Sequence, residues 1–543
     1  MLRGLMMDEP LLVASLIVHA DRFHGDTEIV SRTVEGGIHR QTYRDAHRRA
    51  RQLAQALARL GVKQGDRVGT LAWNGYRHFE LYFGVSGMGA VVHTINPRLF
   101  PEQLVYIVNH AEDRYVFFDL TFAPLVEKLA PQCKGVEGWV AMTDRAHLPP
   151  SATIPNLLCY EELIGAESGD YDWPRLDEQA AAGLCYTSGT TGNPKGVLFS
   201  HRSTVLHAYA ASLPDVFAAS ARTTILPVVP MFHVNAWSIP YLAPLNGVKL
   251  VFPGAALDGK SLYELFEAEK VTVTAGVPTV WMGLLAYMRQ NNLKFSTLER
   301  AVVGGSAAPP AMIREFGAAY GVACQHAWGM TEMSPLGTLC TLKGKQLALS
   351  PDEQFAILCK QGRAIYGVDM KIVDGEARPL PHDGKAFGDL LVRGPWITRG
   401  YFKDEGGSPL RDGWFPTGDV ATIDPDGFLQ ITDRSKDVVK SGGEWISSID
   451  LENVAVAHPA IAEAAVIGVH HPKWDERPIV VAVKKQGAEV TRAELLGFYE
   501  GKVAKWMIPD DVVFVAELPH TATGKLSKLT LRQQMKDYRL PGV

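Results

Sequence analysis

The chain has 543 residues, 46% hydrophobic and 21% charged, enough for a large core and several domains. Its formal net charge of −5 argues against nucleic acid as the main partner. Six scattered cysteines without C-x-x-C or zinc spacing predict reduced thiols in a cytoplasmic protein. The apolar run 10–20 is too short to span a bilayer, so we expect neither a membrane span nor a signal peptide.

The first part of the chain alternates predicted helices and strands. Apolar residues at i, i+3, i+4 and i+7 predict a helix over residues 43–60. Further helices are predicted at residues 79–87, 101–110 and 310–320. Strands are predicted at residues 66–72, 91–95, 115–118, 181–185, 197–199, 224–229, 249–252, 271–274 and 300–303. This alternation indicates an α/β fold built from parallel βαβ units.

From about residue 347 the pattern changes to short pieces rich in Gly, Pro and β-formers. Strands at residues 369–374, 388–393, 421–424 and 428–432 predict a small β-barrel-like subdomain ending near residue 433. Beyond it, helices at 449–456 and 492–503 and strands at 463–469, 479–483 and 512–516 predict a separate α+β domain. We therefore expect a large domain of residues 1–434 and a small, mobile domain of residues 435–543.

Residues 186–196 form a stretch rich in glycine and hydroxyl side chains between two predicted strands, Tyr-Thr-Ser-Gly-Thr-Thr-Gly-Asn-Pro-Lys-Gly. Glycines let successive N–H groups point into one concavity, the hydroxyls add donors and Lys195 adds a mobile charge, so the stretch suits a polyphosphate. It is not a Walker loop, because Asn193 and Pro194 precede the lysine and a strand follows. A plain surface hairpin is the alternative. The candidate ligands are Thr187, Ser188, Gly189, Thr190, Thr191, Gly192 and Lys195.

Two further motifs follow downstream. In residues 328–332, Trp-Gly-Met-Thr-Glu, an aromatic face can stack on a purine, Thr331 can bond a phosphate and Glu332 can hold Mg²⁺. In residues 413–419, Asp419 follows a tight glycine turn and can accept hydrogen bonds from ribose hydroxyls. A loop with a core tryptophan and a capped turn are the alternatives.

Two charged stretches complete the set. Residues 433–445 carry six charges and two glycines at the predicted domain boundary, where a solvated linker is the simpler interpretation. Residues 519–526 place Lys525 in a turn near the end of the chain, where a lysine is ordinarily just exposed.

The five motifs, in this order, resemble the signatures of the adenylate-forming superfamily of acyl-CoA synthetases, peptide-synthetase adenylation domains and luciferases. The resemblance implies ATP, Mg²⁺ and coenzyme A as cofactors. The implied reaction joins a carboxylic acid to ATP as acyl-adenylate with loss of pyrophosphate, then transfers the acyl group to coenzyme A. Trp328 departs from the tyrosine usual in the family, which keeps stacking and loses a hydroxyl contact.

The resemblance also implies a role for individual residues. Lys525 would swing in to bridge the carboxylate and the α-phosphate, as a catalytic residue beside Lys195, Thr331 and Glu332. Thr187 and Glu332 would lie at the metal. Further ATP ligands would be His326, Ala327, Trp328, Gly329, Asp419 and Arg434, with Lys436 at the hinge. The thioester-forming step would use Lys440, Gly442, Gly443, Glu444 and Trp445.

The acyl pocket is implied by residues 230–237 and 303–306. Gly304 and Gly305 would leave space for the acyl chain, and Trp237 would limit that space. Pro335 would form the opposite wall, and His233 would control the entry of the carboxylate. Ordinary core packing for the tryptophan and a structural role for the histidine stay open. In the amino-acid sequence of residues 231–237 and 439–447, the chain most resembles short- and medium-chain fatty acyl-CoA synthetases, and among them the 3-methylmercaptopropionate–CoA ligase branch.

Three rival interpretations stay in view. An adenylation enzyme that charges a carrier protein shares the first half-reaction, but no carrier-domain serine motif follows here. A luciferase-like oxygenase shares the same residues. A non-enzymatic relative should have lost Lys525, Glu332 or Asp419, and all three are present. The resemblance also implies a homodimer, which is common among relatives.

Overall fold

The computed structural model describes residues 2, 4–150, 153–187, 193–441, 444–520 and 526–541. The chain divides into two units. Unit 1 comprises Met1–Val368 and Arg393–Leu410, and unit 2 comprises Asp369–Val392 and Arg411–Val543. This division places the β-rich segment partly with the C-terminal residues, while the boundary expected at residues 434–435 stays a prediction.

Unit 1 contains helices and strands in alternation. Its helices are α1 (Val13–His24), α2 (Tyr43–Arg59), α3 (Tyr76–Gly87), α4 (Pro101–Ala111), α5 (Ala123–Leu129), α6 (Tyr160–Gly165), α7 (His201–Ser212), α8 (Ile239–Asn246), α9 (Gly259–Glu269), α10 (Pro278–Gln290), α11 (Pro310–Tyr320) and α12 (Pro351–Leu358). Its strands are β1 (Glu28–Arg32), β2 (Ile38–Thr42), β3 (Arg67–Leu71), β4 (Val91–Thr94), β5 (Asp113–Phe118), β6 (Gly138–Ala141), β7 (Leu157–Cys159), β8 (Ala181–Tyr186), β9 (Gly196–Ser200), β10 (Thr224–Pro227), β11 (Lys249–Phe252), β12 (Val273–Gly276), β13 (Arg300–Val303), β14 (Ala323–Gly329), β15 (Leu336–Leu339) and β16 (Gly362–Ala364).

The first sheet of unit 1 has the strand order β7-β6-β5-β3-β4-β8-β9. All its neighbours pair in parallel except β8 and β9, which form an antiparallel pair ending at Tyr186↔Gly196. Helices α3 and α4 connect the parallel strands β3, β4 and β5, which confirms the βαβ prediction. The candidate phosphate loop therefore lies at the edge of this sheet, where β8 ends.

The second sheet of unit 1 runs in the order β16-β15-β14-β13-β12-β10-β11-β1-β2. Its central strands from β14 to β1 pair in parallel. Large side chains such as Trp281 and Phe316 pack with Val303 in a buried core against this sheet. Because parallel strands point their carboxyl ends to one edge, the residues that follow β13 and β14 lie close together there.

Local sequence explains why α2 forms where it was predicted. Thr42 and Asp45 form a reciprocal capping box that satisfies free N–H groups of the first turn. The buried residues of the helix form one stripe: Ala46, Ala50, Leu53, Ala54 and Leu57. The helix ends at Arg59, one residue short of the predicted end, and Gly61 follows with a φ of 83°.

Unit 2 is rich in antiparallel strands. Its strands are β17 (Asp369–Val373), β18 (Phe387–Arg393), β19 (Phe415–Ile423), β20 (Phe428–Arg434), β21 (Val439–Ser441), β22 (Glu444–Ile446), β23 (Ile461–His471), β24 (Asp475–Lys484) and β25 (Asp511–Phe514). Its helices are α13 (Ser448–Val456), α14 (Arg492–Gly497) and α15 (Lys528–Gln534). Within the unit the strand orders are β17-β18-β19-β20 and β22-β21-β24-β23, with β25 parallel to β24.

The predicted elements of unit 2 are confirmed, except that β19 begins at Phe415, six residues before its predicted start, and one predicted helix is too long. The β-rich segment and the α+β pattern after it are both present, although closure of the former into a barrel stays a prediction. The helix expected over residues 492–503 is wrong beyond Gly497. A turn takes over there, and Gly501 has a φ of 73°, which a helix does not accommodate.

Candidate active site

The neck of the phosphate loop is closed by hydrogen bonds between its two ends. The Thr187 N–H donates to the Lys195 carbonyl at 2.9 Å, and the Lys195 N–H donates to the Thr187 hydroxyl at 3.4 Å. These bonds extend the antiparallel pairing of β8 and β9 by one residue pair, Thr187 and Lys195. The predicted ligands between them, Ser188, Gly189, Thr190, Thr191 and Gly192, lie outside the described residues.

Lys195 lies against Tyr401, a residue that the sequence analysis missed. The Lys195 ammonium is 4.8 Å from the centroid of the Tyr401 ring, close enough for a cation–π contact. On another side, a methyl group at Gly406 would lie 3.3 Å from the same ammonium. The tip of the lysine is thus confined between the Tyr401 ring and Gly406.

The same tyrosine holds Glu332, the candidate metal ligand. The Tyr401 hydroxyl donates to Oε1 of Glu332 at 2.9 Å, and the Thr398 N–H donates to the Glu332 carbonyl at 2.8 Å. Burial and the nearby carboxylate raise the pKa of Tyr401, so the hydroxyl keeps its proton and stays a donor. The structure therefore brings the first and second predicted motifs together through one side chain.

The residues before Glu332 are fixed by close packing. A methyl group at Gly329 would lie 2.0 Å from the Pro335 carbonyl oxygen, so only glycine fits there. The Met330 N–H donates to that oxygen at 3.0 Å. Trp328 packs against Gly337, where a methyl group would lie 2.7 Å from the indole ring. The backbone of Pro335 thus packs against the motif, and its role as a pocket wall stays a prediction.

His326 is engaged within the protein through both ring nitrogens. The Ala308 N–H donates to Nε2 at 3.3 Å, and Nδ1 lies 3.1 Å from the Cys359 carbonyl. Burial lowers the pKa of His326 to about 4, so the ring is neutral. Because protein groups occupy both ring nitrogens, the predicted contact of His326 with ATP would use the backbone of the residue.

Trp237 and Gly304, two residues of the implied acyl pocket, lie in contact in the structure. A methyl group at Gly304 would lie 3.0 Å from Cη2 of Trp237 and 3.1 Å from the Ala327 carbonyl oxygen. Trp237 is 8% exposed, and Gly305 has a φ of 81° that favours glycine. The indole ring thus fills the space that the missing Cβ leaves, while the role of Trp237 as a pocket wall stays a prediction.

The turn that carries Trp237 has an unusual backbone. Residues 234–238 all have positive φ values, from 38° to 70°, and none is glycine. Each left-handed residue of this kind costs roughly 1–2 kcal/mol, and such strain clusters at binding sites. His233, just before it, is half-buried, and its N–H donates to the Pro230 carbonyl at 3.1 Å. No signal in the sequence marks this turn.

In unit 2, the predicted ribose ligands Asp419 and Arg434 form a pair. They are cross-strand partners of β19 and β20, and Nε of Arg434 is 2.8 Å from Oδ1 of Asp419. Asp419 is 3% exposed, and its N–H is held by the Thr417 hydroxyl at 3.1 Å. A nearly buried carboxylate beside a more exposed guanidinium is suited to hydroxyl groups of a ligand.

The predicted boundary residues form a turn within unit 2. The Ser435 N–H donates to the Gly418 carbonyl at 3.0 Å, and the Asp437 N–H donates to the Arg434 carbonyl at 2.8 Å, so Lys436 lies in a closed turn. The N–H of Lys440 donates to Glu476 at 2.9 Å. Gly442, Gly443 and Lys525 lie outside the described residues, as do the side chains of Glu444 and Trp445.

Two negative findings apply to the described part of the chain. No three His, Cys, Asp or Glu side chains come together there as a protein-built metal site requires. Among the helices that the structure describes, none combines the length and apolar composition needed to cross a bilayer.

The sequence matches known families along most of its length. Residues 17–402 match the AMP-binding enzyme family, and residues 450–525 match the AMP-binding enzyme C-terminal domain. The crystal structure of the anthranilate CoA ligase AuaEII in complex with anthranoyl-AMP superimposes with a TM-score of 0.84 at 24% identity, covering 97% of this chain and 98% of that chain. This likeness shows the fold.

Two curated relatives are more similar in sequence. The chain is 54% identical over 534 residues to the 3-methylmercaptopropionyl-CoA ligase of Ruegeria lacuscaerulensis, covering 98% of this chain and 99% of the relative. It is 52% identical over 537 residues to the medium-chain-fatty-acid–CoA ligase of Ectopseudomonas oleovorans, covering 99% and 98%. The chain therefore belongs to the AMP-binding enzyme family, as an ATP-dependent acyl-CoA ligase of the AMP-forming acid–thiol class.

Proposed function

We propose that this ligase acts on a short- or medium-chain carboxylic acid, with 3-methylmercaptopropionate and medium-chain fatty acids as the first candidates. The observation that carries the proposal is the contact between Trp237 and Gly304, because an indole ring over a glycine limits the depth of a pocket. The names of the relatives at 54% and 52% identity support the same size class.

The proposed chemistry has two half-reactions. In the first, a carboxylate oxygen attacks the α-phosphorus of ATP, the bond to the bridging oxygen breaks and pyrophosphate leaves. In the second, the sulfur of coenzyme A attacks the acyl carbon and AMP leaves. The attacking carboxylate is already ionised, so the first step needs positioning and charge neutralisation more than a base.

Each predicted residue has a proposed place in this scheme. Lys195, confined by Tyr401, would meet the polyphosphate at the loop. Asp419 and Arg434, already paired across two strands, would bind the ribose. Lys525 would neutralise charge at the α-phosphate during adenylation. The thioester step would use Lys440, Gly442, Gly443, Glu444 and Trp445.

Glu332 and Thr187 would hold Mg²⁺. A single buried carboxylate with its Oε1 fixed by Tyr401 fits this ion, because Mg²⁺ commonly binds one or two carboxylates and completes its shell with substrate phosphates and water. When bound, the ion would neutralise charge on the polyphosphate.

Three further features belong to the proposal. Rotation of a C-terminal domain about Lys436 would switch the enzyme between half-reactions, with a boundary at residues 434–435. The six scattered cysteines, none of them in C-x-x-C or zinc spacing, support a reducing, cytoplasmic location. The homodimer rests on the family resemblance alone.

A carboxylate panel tests the function. Acids from acetate to palmitate, together with 3-methylmercaptopropionate, are supplied with ATP, and AMP release is read with and without coenzyme A. We expect the highest kcat/KM between about three and ten carbons, with AMP release that depends on coenzyme A. A preference for palmitate over butyrate would contradict the proposal that the substrate is a short- or medium-chain acid. Transfer to a carrier protein but not to coenzyme A, or light output with luciferin, would favour the rival activities.

A further inference from the structure

Four side chains outside the predicted site residues meet at the base of the phosphate loop, and we name them the anchor cluster: Tyr106, His110, Tyr186 and Glu405. Tyr106 and His110 lie one turn apart on α4, and their rings stack with centroids 5.2 Å apart and planes at 13°. Tyr186 is the last residue of β8, and Glu405 lies four residues after Tyr401. The cluster therefore joins one helix, one strand and one loop segment.

The anchor cluster reaches both described ends of the phosphate loop, one directly and the other through Phe402. Nδ1 of His110 is 2.7 Å from the hydroxyl of Tyr186, immediately before the loop begins. Where the loop returns, Gly196 lies against Phe402, whose ring meets the ring of His110 edge to face with centroids 5.7 Å apart. One end of the loop is thus bonded to His110, and the other is linked to the same histidine through Phe402.

Glu405 links the two helix residues. The Tyr106 hydroxyl donates to Oε1 of Glu405 at 2.8 Å, and Nε2 of His110 lies 3.7 Å from the same oxygen. Its other oxygen, Oε2, is buried and accepts no hydrogen bond from the residues that the structure describes. A partly buried carboxylate that accepts a hydrogen bond from a hydroxyl group makes a strong contact, so Glu405 ties the two helix residues to its own segment.

The segment that carries Glu405 also reaches the loop lysine. Phe402 packs on β9, where a methyl group at Gly196 would lie 3.0 Å from its Cβ. Gly406 approaches the Lys195 ammonium, as described above, and Lys403 forms an ion pair of 2.6 Å with Glu112 at the end of α4. The anchor cluster is therefore the junction between α4 and the segment that confines Lys195.

We propose that the anchor cluster positions the phosphate loop for ATP in the adenylation half-reaction. A glycine-rich loop loses conformational entropy when it closes on a ligand, and fixing both of its ends in advance reduces that loss. The four residues act through the loop and do not touch the substrate. The inference rests on the assignment of residues 187–195 as the phosphate loop.

The test compares three variants with a matched control. His110→Ala removes the stacked ring and its contacts with Tyr186 and Glu405, Glu405→Gln removes the charge, and Tyr106→Phe removes the hydroxyl. The control, Tyr209→Phe, changes a tyrosine on α7 that is 52% exposed. We expect each cluster variant to raise the apparent KM for ATP about tenfold, because small losses of position weaken such steps strongly. The KM values for acid and coenzyme A, and the conversion of supplied acyl-adenylate to thioester, should change less than about twofold.

A double-mutant cycle and a second variant separate the possible outcomes. His110→Ala and Tyr186→Phe remove the same hydrogen bond, so their effects on the KM for ATP should not add. If Lys195→Ala leaves the KM for ATP unchanged, the loop assignment is wrong and the inference fails with it. If Lys195→Ala raises that KM while the three cluster variants do not, or if they damage both half-reactions equally, the positioning role is overturned. Tyr106→Phe removes only a hydroxyl, so its KM for ATP tests the positioning role even if the larger substitutions prevent folding.

Discussion

The hydroxyl of Tyr401 donates a hydrogen bond of 2.9 Å to Oε1 of Glu332, while the ring of the same tyrosine faces the Lys195 ammonium at 4.8 Å. One neutral side chain thus contacts an anion and a cation that come from distant parts of the sequence. The orientation of the carboxylate and the position of the lysine are therefore coupled.

Tyr401→Phe tests this coupling, because it removes the hydroxyl and keeps the ring over Lys195. A hydrogen bond to a charged group contributes about 1.5–3 kcal/mol, so we expect kcat/KM for ATP to fall roughly tenfold to a hundredfold. Tyr401→Leu removes both contacts and should be worse. Steady-state kinetics over ATP and magnesium concentrations measure the effect, and wild-type kinetics for the phenylalanine variant would contradict it.

Trp237→Ala should shift the enzyme to longer acids. Truncation of a buried indole leaves a large cavity at Gly304, which additional methylene groups of the substrate can fill. We expect the ratio of kcat/KM for dodecanoate over butyrate to rise. Gly304→Ala is the control in the opposite direction, since its methyl group would crowd the indole. Unchanged chain-length profiles for both variants would place Trp237 in the core and not in the pocket.

Buried histidines predict loss of stability in acid. Burial lowers the pKa of His207 to about 3 and that of His326 to about 4, from an ordinary 6.5, and each accepts a backbone N–H through Nε2. The unfolded chain binds these protons more readily, so stability is present above pH 6.5 and is lost as the pH falls toward 4.

Thermal unfolding between pH 7.5 and 4.5 measures this loss. Each pKa unit of depression is equivalent to about 1.4 kcal/mol. His207→Gln keeps an acceptor without titrating, so its melting temperature should fall less steeply with pH than that of the wild type. Equal slopes would show that His207 does not carry the effect.

Lys436→Pro tests the proposed hinge. Proline fixes φ near roughly −65°, so a residue that must change its backbone angles between half-reactions becomes locked. We expect one half-reaction to survive while the other collapses. Lys436→Ala removes the side chain but leaves the backbone free, and it should retain both. Equal loss of both half-reactions in a folded proline variant would count against a hinge at this position.

Much of the fold was predictable because its signals are local. The apolar stripe and cap of α2 and the buried run of β13 appear in short windows of sequence, and both elements form where expected. The β1–β2 hairpin was not predicted, since β2 is mostly polar and β1 is held by pairing with β11, which lies more than 200 residues away.

The residues of the candidate site also divide into those that local sequence predicts and those that it does not. Glu332 and Asp419 could be proposed from the sequence because their motifs are contiguous, and the resemblance added Arg434, which the structure pairs with Asp419. Tyr401 and Glu405 could not, because their importance arises only from contacts with α4, Lys195 and Glu332 across the fold. The left-handed turn at residues 234–238 is a backbone property that its side chains do not reveal.

The central claim is that one chain forms an acyl-adenylate and then a thioester, using different residues for each step. The most direct test measures both half-reactions on purified Lys525→Ala, with circular dichroism to confirm the fold. A preorganised cation at the α-phosphate is worth about 3–4 kcal/mol, so adenylation should fall by at least about a hundredfold. Conversion of supplied acyl-adenylate and coenzyme A to thioester should stay within a few-fold of wild type. Near-normal adenylation, or equal damage to both steps, would contradict the account and leave Lys195 as the main cation of the site.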